Sequence, residues 1–242
     1  MRFKIEFETG NEELPIDYRR KLISVLKGAL EDYNEDLFKA IYGSGHSPKS
    51  FCFSTCFAPK VAFTKEKITL NSQRFHVMFT TLDVLTAVHL INAFMARRNK
   101  WIPFADCNNK LKVVAVAKIQ ERSISSNSVC FKILSPIVIR DHTREGKDWY
   151  LTFEDKNFEA IWKRNLTDEL KIVLGKDVSK DISSLRVTPV QTKKTVVKSY
   201  GIYIPCTIGS MMFEGEKYLL EYLYKAGIGS KRSMGFGCLD IV

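Results

Sequence analysis

The order of hydrophobic periodicities passes through the same cycle twice, and this repetition most constrains the fold of the 242-residue chain. Apolar residues alternate along the predicted strands and recur every three or four residues along the predicted helices. Each half of the sequence follows the order strand, helix, strand, strand, helix, strand, although the two halves share little residue-level similarity. This order is the split βαβ arrangement of ferredoxin-like modules. The sequence therefore predicts an α+β protein with two tandem ferredoxin-like (RRM-like, βαββαβ) domains, residues 1–122 and 123–242.

A polar segment from Gln120 to Ser128 separates the two cycles. The elements predicted before it are strand Arg2–Glu8, helix Ile16–Leu30, strand Phe51–Phe57, a short strand within Val61–Leu70, strand Gln73–Thr80, helix Thr81–Arg98 and strand Leu111–Ile119. Those predicted after it are strand Val129–Ile139, helix Phe153–Leu174, strands Leu185–Val190 and Val196–Thr207, helix Gly215–Ala226 and strand Gly235–Val242.

Positive charge dominates the chain, with a formal net charge of +10. Carboxylates are absent between Asp36 and Glu66 and again between Asp181 and Glu214. A basic protein that avoids acidic residues over whole segments is typical of one that binds a polyanion, although net charge can also serve solubility alone.

Composition limits the remaining classes of function. No apolar run reaches the roughly 18 residues of a membrane span, and the first residues alternate like a strand instead of forming a signal peptide. A cytoplasmic protein without membrane association is therefore expected. The six cysteines form no Cys-x-x-Cys pair, and no cysteine–histidine cluster has zinc spacing, so neither a metal nor another cofactor is expected.

Near the end of the sequence, a glycine-rich loop follows a predicted helix and precedes a predicted strand. Its pattern from residue 227 to residue 239 is Gly-Ile-Gly-x-Lys-x-x-x-Gly-Phe-Gly-x-Leu. This order of elements is the reverse of a dinucleotide-binding fingerprint, and the loop lacks the Gly-Lys-Ser/Thr of a nucleotide triphosphate loop. Unobstructed amides with two cations, Lys231 and Arg232, at the crest would suit a phosphate backbone.

The complete pattern closely resembles the glycine-rich signature of the CRISPR-associated endoribonucleases of the RAMP superfamily, which cut repeat RNA into guide RNAs. The opening strand and the mid-chain strand Leu134-Ser-Pro-Ile-Val-Ile-Arg140 extend the resemblance over most of the chain. It implies that CRISPR repeat RNA is the partner and that the RNA 2′-OH attacks the adjacent phosphate without metal. The products would carry a 2′,3′-cyclic phosphate and a 5′-OH.

Such chemistry needs a base, an acid and a cation for the phosphorane charge, and histidine is the natural proton carrier near neutral pH. His76 and His89 fall within a predicted strand and helix, while His142 lies in a basic loop that suits either RNA contact or catalysis. His46 occupies a glycine-broken loop in an acid-free window. The resemblance places a catalytic histidine in or near this helix-to-strand connection.

The resemblance also indicates partners for His46. It suggests a catalytic lysine at Lys49, and a Tyr or Lys at the helix position of Lys27. Lys27 would lie well below the loop unless the loop folds back, and Tyr42 could donate a proton or a hydrogen bond. The predicted catalytic set is therefore His46, Lys49, Tyr42 and Lys27, with no metal.

RNA binding is predicted at two further surfaces. A basic hairpin at residues 192–200 is expected to bring three lysines together, at a place where hairpins of the family contact the repeat. The glycine-rich loop and the mid-chain strand supply the second surface. The predicted RNA-binding residues are Lys193, Lys194, Lys198, Arg140, Gly227, Gly229, Lys231, Arg232, Gly235 and Gly237.

Two other functions stay open at this point. One is a non-catalytic RNA-binding module of the same fold that holds guide RNA in an effector complex. The other is a ferredoxin-like protein that binds an anionic metabolite, although its basic surface would not need to extend over two domains and a hairpin. The sequence also leaves open a homodimer and association with other CRISPR-associated effector proteins.

Overall fold

The computed structural model describes residues 1–43, 49–104, 107–142 and 148–242. Its strands are β1 (Arg2–Thr9), β2 (Glu13–Pro15), β3 (Phe51–Phe57), β4 (Ala62–Phe63), β5 (Lys67–Thr69), β6 (Arg74–Thr81), β7 (Trp101–Phe104), β8 (Asn109–Ile119), β9 (Ser128–Ile137), β10 (Ile139–Asp141), β11 (Trp149–Leu151), β12 (Arg186–Ser199), β13 (Ile202–Glu214) and β14 (Leu239–Ile241). Its helices are α1 (Tyr18–Tyr33), α2 (Glu35–Tyr42), α3 (Val84–Ala96), α4 (Phe158–Leu174), α5 (Ser179–Ser184) and α6 (Lys217–Ala226), with a 3₁₀ turn at Arg232–Met234.

The strands form two main antiparallel sheets that share a topology. The first sheet has the order β3-β6-β1-β8-β7 and the second the order β12-β13-β9-β14. Helices α1 and α3 complete a βαββαβ unit with the first sheet, and α4 and α6 complete one with the second. The prediction of two ferredoxin-like units in an α+β protein is confirmed. Their strands come from residues 2–119 and 128–241, and the division at residues 122 and 123 stays a prediction.

Each sheet buries one face under its helices. In the first unit, Phe3, Ile5 and Phe7 of β1 are at most 1% exposed and belong to a core that includes residues of α1 and α3. The second core includes Trp162 of α4, which packs edge-on against Phe213 of β13. Burial of apolar side chains of this size stabilises the fold by about 1.5–3 kcal/mol each.

The two units are docked along β3 and β9. The Ser54 hydroxyl donates to the Leu134 carbonyl at 2.6 Å, and the Ser135 hydroxyl donates to the Phe53 carbonyl at 3.2 Å. These bonds satisfy polar groups that the interface removes from water.

A buried arginine supports the same interface at β1. The Arg2 side chain is 1% exposed, donates to the Leu239 carbonyl at 2.9 Å and lies over the Tyr224 ring, 4.4 Å from its centroid. A buried guanidinium needs such partners, because an uncompensated charge in the interior is strongly unfavourable.

The hairpin of the second unit differs from its prediction. The expected strand Leu185–Val190 is the beginning of the longer strand β12, which starts at Arg186. The expected strand Val196–Thr207 is divided by a turn at Tyr200 and Gly201, so that its first part ends β12 and its last part begins β13. The segment predicted as the hairpin loop contains threonine and valine, which fit a pleated strand. Gly201, at φ 80°, supplies the conformation that a tight turn needs.

Helix α2 was not predicted. It begins directly after α1, because the Asn34 side chain caps it by accepting from the Leu37 amide at 2.8 Å. The predicted final strand Gly235–Val242 is shorter in the structure, where irregular backbone precedes β14. No helix of the described residues is long and apolar enough to cross a membrane.

Candidate RNA-cleavage site

A cleft of about 540 Å³ opens between the glycine-rich loop, helix α4 and the start of β3. Four cations predicted to be functional line it, from distant parts of the chain: Lys49, Arg140, Lys231 and Arg232. His142 lies on the same cleft. The fold therefore brings these residues to one concave surface, which is the usual form of a binding site.

Lys27, Tyr42 and Lys49 form a cluster beside this cleft. The Lys27 Nζ lies 4.7 Å and the Lys49 Nζ 5.4 Å from the centroid of the Tyr42 ring. Helix α2 causes this meeting, since it packs on α1 and sets Tyr42 next to Lys27. Of the three residues, Lys49 is the one that lines the cleft.

The cluster contains two buried polar atoms that lack a hydrogen bond within the described part of the chain. They are the Tyr42 hydroxyl oxygen and the Lys49 Nζ. Burial raises the pKa of Tyr42, so its hydroxyl stays protonated and is a donor, not a base. Burial, together with the neighbouring charge of Lys27, lowers the pKa of Lys49. Buried polar groups are normally satisfied, and a phosphate oxygen is a suitable acceptor for this ammonium.

His46 lies outside the described residues, so its role stays a prediction. His142 is described, and its Nδ1 lies 3.0 Å from Asp148 Oδ1 at the cleft. His76 and His89 lie in β6 and α3 and do not line the cleft. His142 is thus the described histidine that is placed to meet a ligand there.

Asp148 contacts both His142 and Arg140, which is one of the cations that line the cleft. Its other carboxylate oxygen, Oδ2, accepts from Arg140 at 3.2 Å and from the Tyr150 hydroxyl at 3.2 Å. Burial opposes the ionisation of Asp148, but Arg140, Tyr150 and His142 outweigh it and hold its pKa below the usual value. The carboxylate therefore stays charged and fixes the orientation of Arg140 and His142.

The glycines of the loop pack against protein, which corrects the expectation that their amides face a phosphate. The amides of Gly227, Gly235 and Gly237 all donate to backbone carbonyls within the chain. A Cβ on Gly235, whose φ is 83°, would stand 2.7 Å from the Phe53 ring of the first unit. Close packing between the units, not access for RNA, explains this glycine. Gly229 is only partly buried and lines the cleft.

The two cations of the loop have different surroundings. Lys231 has a φ of 59° and lines the cleft, with its Nζ 5.9 Å from the centroid of the Tyr150 ring. Arg232 does not stand at the crest as expected. Its side chain is 7% exposed, because its guanidinium pairs with Glu169 of α4 and donates to the Gly227 carbonyl at 3.3 Å.

Glu169 is a residue that sequence reasoning missed. One of its carboxylate oxygens accepts from both Arg232 and the Tyr222 hydroxyl, the latter at 2.5 Å. A glutamate in the middle of an amphipathic helix gives no sign of a partner 63 residues away. The pair ties the glycine-rich loop to α4 and so shapes the wall of the cleft that carries Lys231.

The hairpin lysines lie within β12 and do not gather in a loop, which corrects their predicted arrangement. Because successive side chains of a strand point to opposite faces, Lys193 lies on one face and Lys194 and Lys198 on the other. Lys193 and Lys194 are exposed, whereas Lys198 is partly buried, with its Nζ 6.0 Å from the Tyr203 ring centroid. None of the three lines the cleft.

The carboxylates that line the cleft, Asp168 and Glu169, both belong to α4. Within the described ranges, no group of three or more His, Cys, Asp or Glu side chains could hold a metal ion.

Comparisons with known proteins agree with the fold and with the position of the loop. Residues 119–241 match the family model described as CRISPR associated protein Cas6, C-terminal. The CRISPR-associated endoribonuclease Cas6 of Pyrococcus furiosus is 25% identical over 248 aligned residues, which cover 100% of this chain and 90% of that protein.

Solved structures show the same fold at lower sequence identity. The structure of a Cas6-related gene product from Pyrococcus furiosus superposes with a TM-score of 0.87 at 20% identity, covering 100% of this chain and 98% of the other. A RAMP protein described as binding different RNA substrates gives a TM-score of 0.86 at 19% identity, with coverage of 100% and 99%. Since the family model spans half of the sequence, including the glycine-rich loop, the chain belongs to the Cas6 family of CRISPR-associated proteins.

Proposed function

We propose that this protein is an endoribonuclease that cleaves CRISPR repeat RNA at the cleft beside Lys49. The convergence of Lys49, Arg140 and Lys231 on one cleft carries the proposal, because these cations suit an RNA phosphate and its developing charge. The similarity to a Pyrococcus furiosus protein named as a CRISPR-associated endoribonuclease supports the same activity.

The proposed reaction uses the RNA itself as the nucleophile. The 2′ oxygen beside the scissile phosphate forms a bond to phosphorus, and the bond from phosphorus to the 5′ oxygen breaks. The 2′ oxygen loses its proton to a base, and the leaving 5′ oxygen gains one from an acid. The products are a 2′,3′-cyclic phosphate and a 5′-OH, with no metal required.

The residues have separate roles in this proposal. His46 carries a proton, and Lys49 contacts the phosphate as the cation that offsets the charge of the phosphorane. Tyr42 and Lys27 are positioning residues, because the Tyr42 ring lies against both lysine ammonium groups and neither Tyr42 nor Lys27 lines the cleft. Arg140 and Lys231 hold phosphates of the bound strand.

The test is cleavage of repeat RNA in excess chelator. We expect full activity in EDTA and a product whose new 5′ end is a free hydroxyl, available for phosphorylation by a kinase. RNA with a single 2′-deoxynucleotide at the scissile position should resist cleavage but still bind, because only the nucleophile is missing. RNA with the same substitution two positions away is the matched control. Activity that EDTA abolishes and magnesium restores would contradict the proposed mechanism.

A second experiment separates chemistry from binding. His46→Ala should slow single-turnover cleavage by roughly 10²–10⁴-fold, the usual contribution of a positioned acid or base, while RNA affinity changes little. Lys49→Ala should also slow cleavage but should weaken binding, since its charge meets the phosphate before the reaction begins. If His46→Ala cuts at the parental rate, the proton carrier lies elsewhere, and His142 is the next residue to replace.

Non-catalytic RNA binding is the second candidate function. The cations of the cleft would suit retention of RNA as well as cleavage, and the same assays distinguish the two. A binding module would hold the repeat RNA and its deoxy-substituted form equally and would cut neither.

A further inference from the structure

The tip of the β12–β13 hairpin carries a residue that its backbone conformation disfavours. Ser199 pairs with Ile202, so the turn consists of Tyr200 and Gly201. Both residues have positive φ, 51° for Tyr200 and 80° for Gly201. Two-residue turns with positive φ at both positions strongly favour Asn-Gly or Asp-Gly. A bulky residue with positive φ is an outlier that costs about 1–3 kcal/mol and is most often found at functional sites.

Packing does not explain the choice of tyrosine. Tyr200 is 51% exposed, so much of its surface stays in contact with water. Burial of this ring therefore does little to offset the cost of the strained backbone.

The hairpin is held at a defined place against the first unit. Ile204 and Cys206 of β13 pack with Phe236 of the glycine-rich loop in a small buried cluster. The Arg19 guanidinium of α1 lies over Phe236, 5.2 Å from its ring centroid. The end of the hairpin thus lies beside the beginning of α1.

The same packing places the hairpin beside the cleft. Val197 of β12, three residues before Tyr200, packs on this buried cluster together with Met234, and Met234 lines the cleft. Burial and, after it, the electrostatic influence of Tyr200 raise the pKa of Tyr42, which agrees with this placement. An exposed aromatic ring, Tyr200, is therefore carried at the end of a hairpin that lies beside the cleft lined by Lys49.

We propose that Tyr200 contacts the substrate, by stacking its ring on an unpaired nucleobase that flanks the scissile phosphate. Single-stranded RNA is typically recognised by such stacking, because every base offers an aromatic face. A base fixed at the hairpin tip orients the backbone of the same strand over Lys49. This inference rests on the proposed RNA cleavage, and it assigns the strained turn a task in holding the substrate.

The decisive variant is Tyr200→Asn, because asparagine suits the turn while it removes the ring. The variant should unfold at the parental temperature or higher. Its affinity for repeat RNA and its single-turnover cleavage rate should fall by roughly 5- to 100-fold, the range that loss of one stacked base implies. Tyr200→Phe keeps the ring and should stay within about twofold of the parent. Tyr33→Asn, the same change at an exposed tyrosine at the end of α1, should bind and cleave RNA like the parent.

Three results would overturn the inference. The first is parental binding and cleavage by Tyr200→Asn, which would leave the proposed nuclease activity intact. The second is a lower unfolding temperature for Tyr200→Asn, which would make the ring a structural element. The third is an equal loss in Tyr200→Phe, which would assign the role to the hydroxyl. If the parent binds repeat RNA but does not cut it, the proposed cleavage fails, and the affinities of these variants still decide whether Tyr200 stacks.

Discussion

Lys49 combines burial with a neighbouring positive charge. Its Nζ is enclosed and shares the ring of Tyr42 with the Nζ of Lys27. Both burial and Lys27 disfavour the charged form and lower the pKa of Lys49. An ammonium in this state gives up its proton more readily than an ordinary lysine. In the proposed reaction, Lys49 can thus offset the phosphorane charge and also supply a proton to the leaving oxygen.

The dependence of cleavage on pH should report this arrangement. If the charged form of Lys49 is required, the rate falls as pH rises through its lowered pKa. Lys27→Met removes the repelling charge but keeps an apolar chain against Tyr42, so the pKa of Lys49 should rise. The alkaline limb of the single-turnover pH–rate profile should therefore move to higher pH.

The control for this shift is Lys39→Met. Lys39 is an exposed residue of α2 that pairs with Glu35 at 2.7 Å, and its replacement should leave the alkaline limb in place. An alkaline limb that stays fixed in Lys27→Met, or moves to lower pH, would show that Lys49 is not the group that titrates.

The candidate catalytic residues could be named from the sequence, but their contacts could not. The resemblance indicated Lys27 and Lys49, and Tyr42 was added because it could donate a proton near His46. Their meeting depends on α2, which is short and begins directly after α1. With Asn34 as the only residue between the helices, no break of glycine or proline marked where one helix ends and the next begins. The position of Tyr200 at a turn was likewise hidden, because tyrosine is not a residue that predicts one.

At the scale of elements, the glycine-rich loop and α4 act together through one ion pair. Arg232 and Glu169 have side chains that are 7% and 16% exposed, and the Tyr222 hydroxyl completes the group. Removal of one member of a buried pair leaves the other charge uncompensated. The pair therefore holds the loop, whereas the adjacent Lys231 faces the cleft.

Replacement of Arg232 and replacement of Lys231 should affect different properties, the first stability and the second RNA binding. Arg232→Ala should lower the free energy of unfolding by about 3–5 kcal/mol, as expected for a broken buried pair. Lys231→Ala should leave stability nearly unchanged but weaken RNA binding, and it should reduce the slope of log affinity against log salt by about 1. Urea denaturation and binding titrations at several salt concentrations provide the two measurements.

A contrary result is easily recognised. If Arg232→Ala is as stable as the parent and flattens the salt dependence of RNA binding, then the guanidinium contacts RNA in solution. The prediction from the sequence that Arg232 binds RNA would then be correct.

Long elements with a clear hydrophobic period were predicted well, because the period depends only on residues that are close in sequence. The predictions failed where contacts between residues distant in sequence determine the structure. Strand Phe51–Phe57 has the bounds that its alternation predicted. The glycine spacing correctly marked a special loop, but its purpose depends on Phe53 and other residues far away in sequence. Lys193, Lys194 and Lys198 were expected in a loop because they are charged, although the pairing of β12 with β13 places them in a strand.

On the scale of the whole molecule, the two units are joined by close backbone approach. Gly235 lies against the ring of Phe53, and Arg19 donates from its Nε to the Gly235 carbonyl at 3.2 Å. The loop that lines the cleft is thus also the part that docks the second unit on the first.

A pair of glycine variants tests this joint. Gly235 and Gly201 have similar positive φ values, 83° and 80°, but a Cβ on Gly201 would meet nothing within 4 Å. Both alanine variants incur the backbone strain of about 1–2 kcal/mol, whereas Gly235→Ala must also displace the buried Phe53 ring. Gly235→Ala should therefore be less stable than Gly201→Ala by about 1–3 kcal/mol, the usual cost of overpacking.

Chemical denaturation of the two variants measures the difference directly. Equal losses of stability would mean that the ring of Phe53 moves aside freely and that the contact between the units is loose at this point.

The buried Arg2 has a consequence for the order of events during synthesis. Its partner carbonyl on Leu239 lies 237 residues further along the chain, so in a nascent chain this guanidinium lacks that partner until Leu239 has been made. The first unit can form its local contacts earlier, but the face that docks on the second unit stays open to water until then. The walls of the cleft come from both units, so RNA can be held there only after the glycine-rich loop has been made.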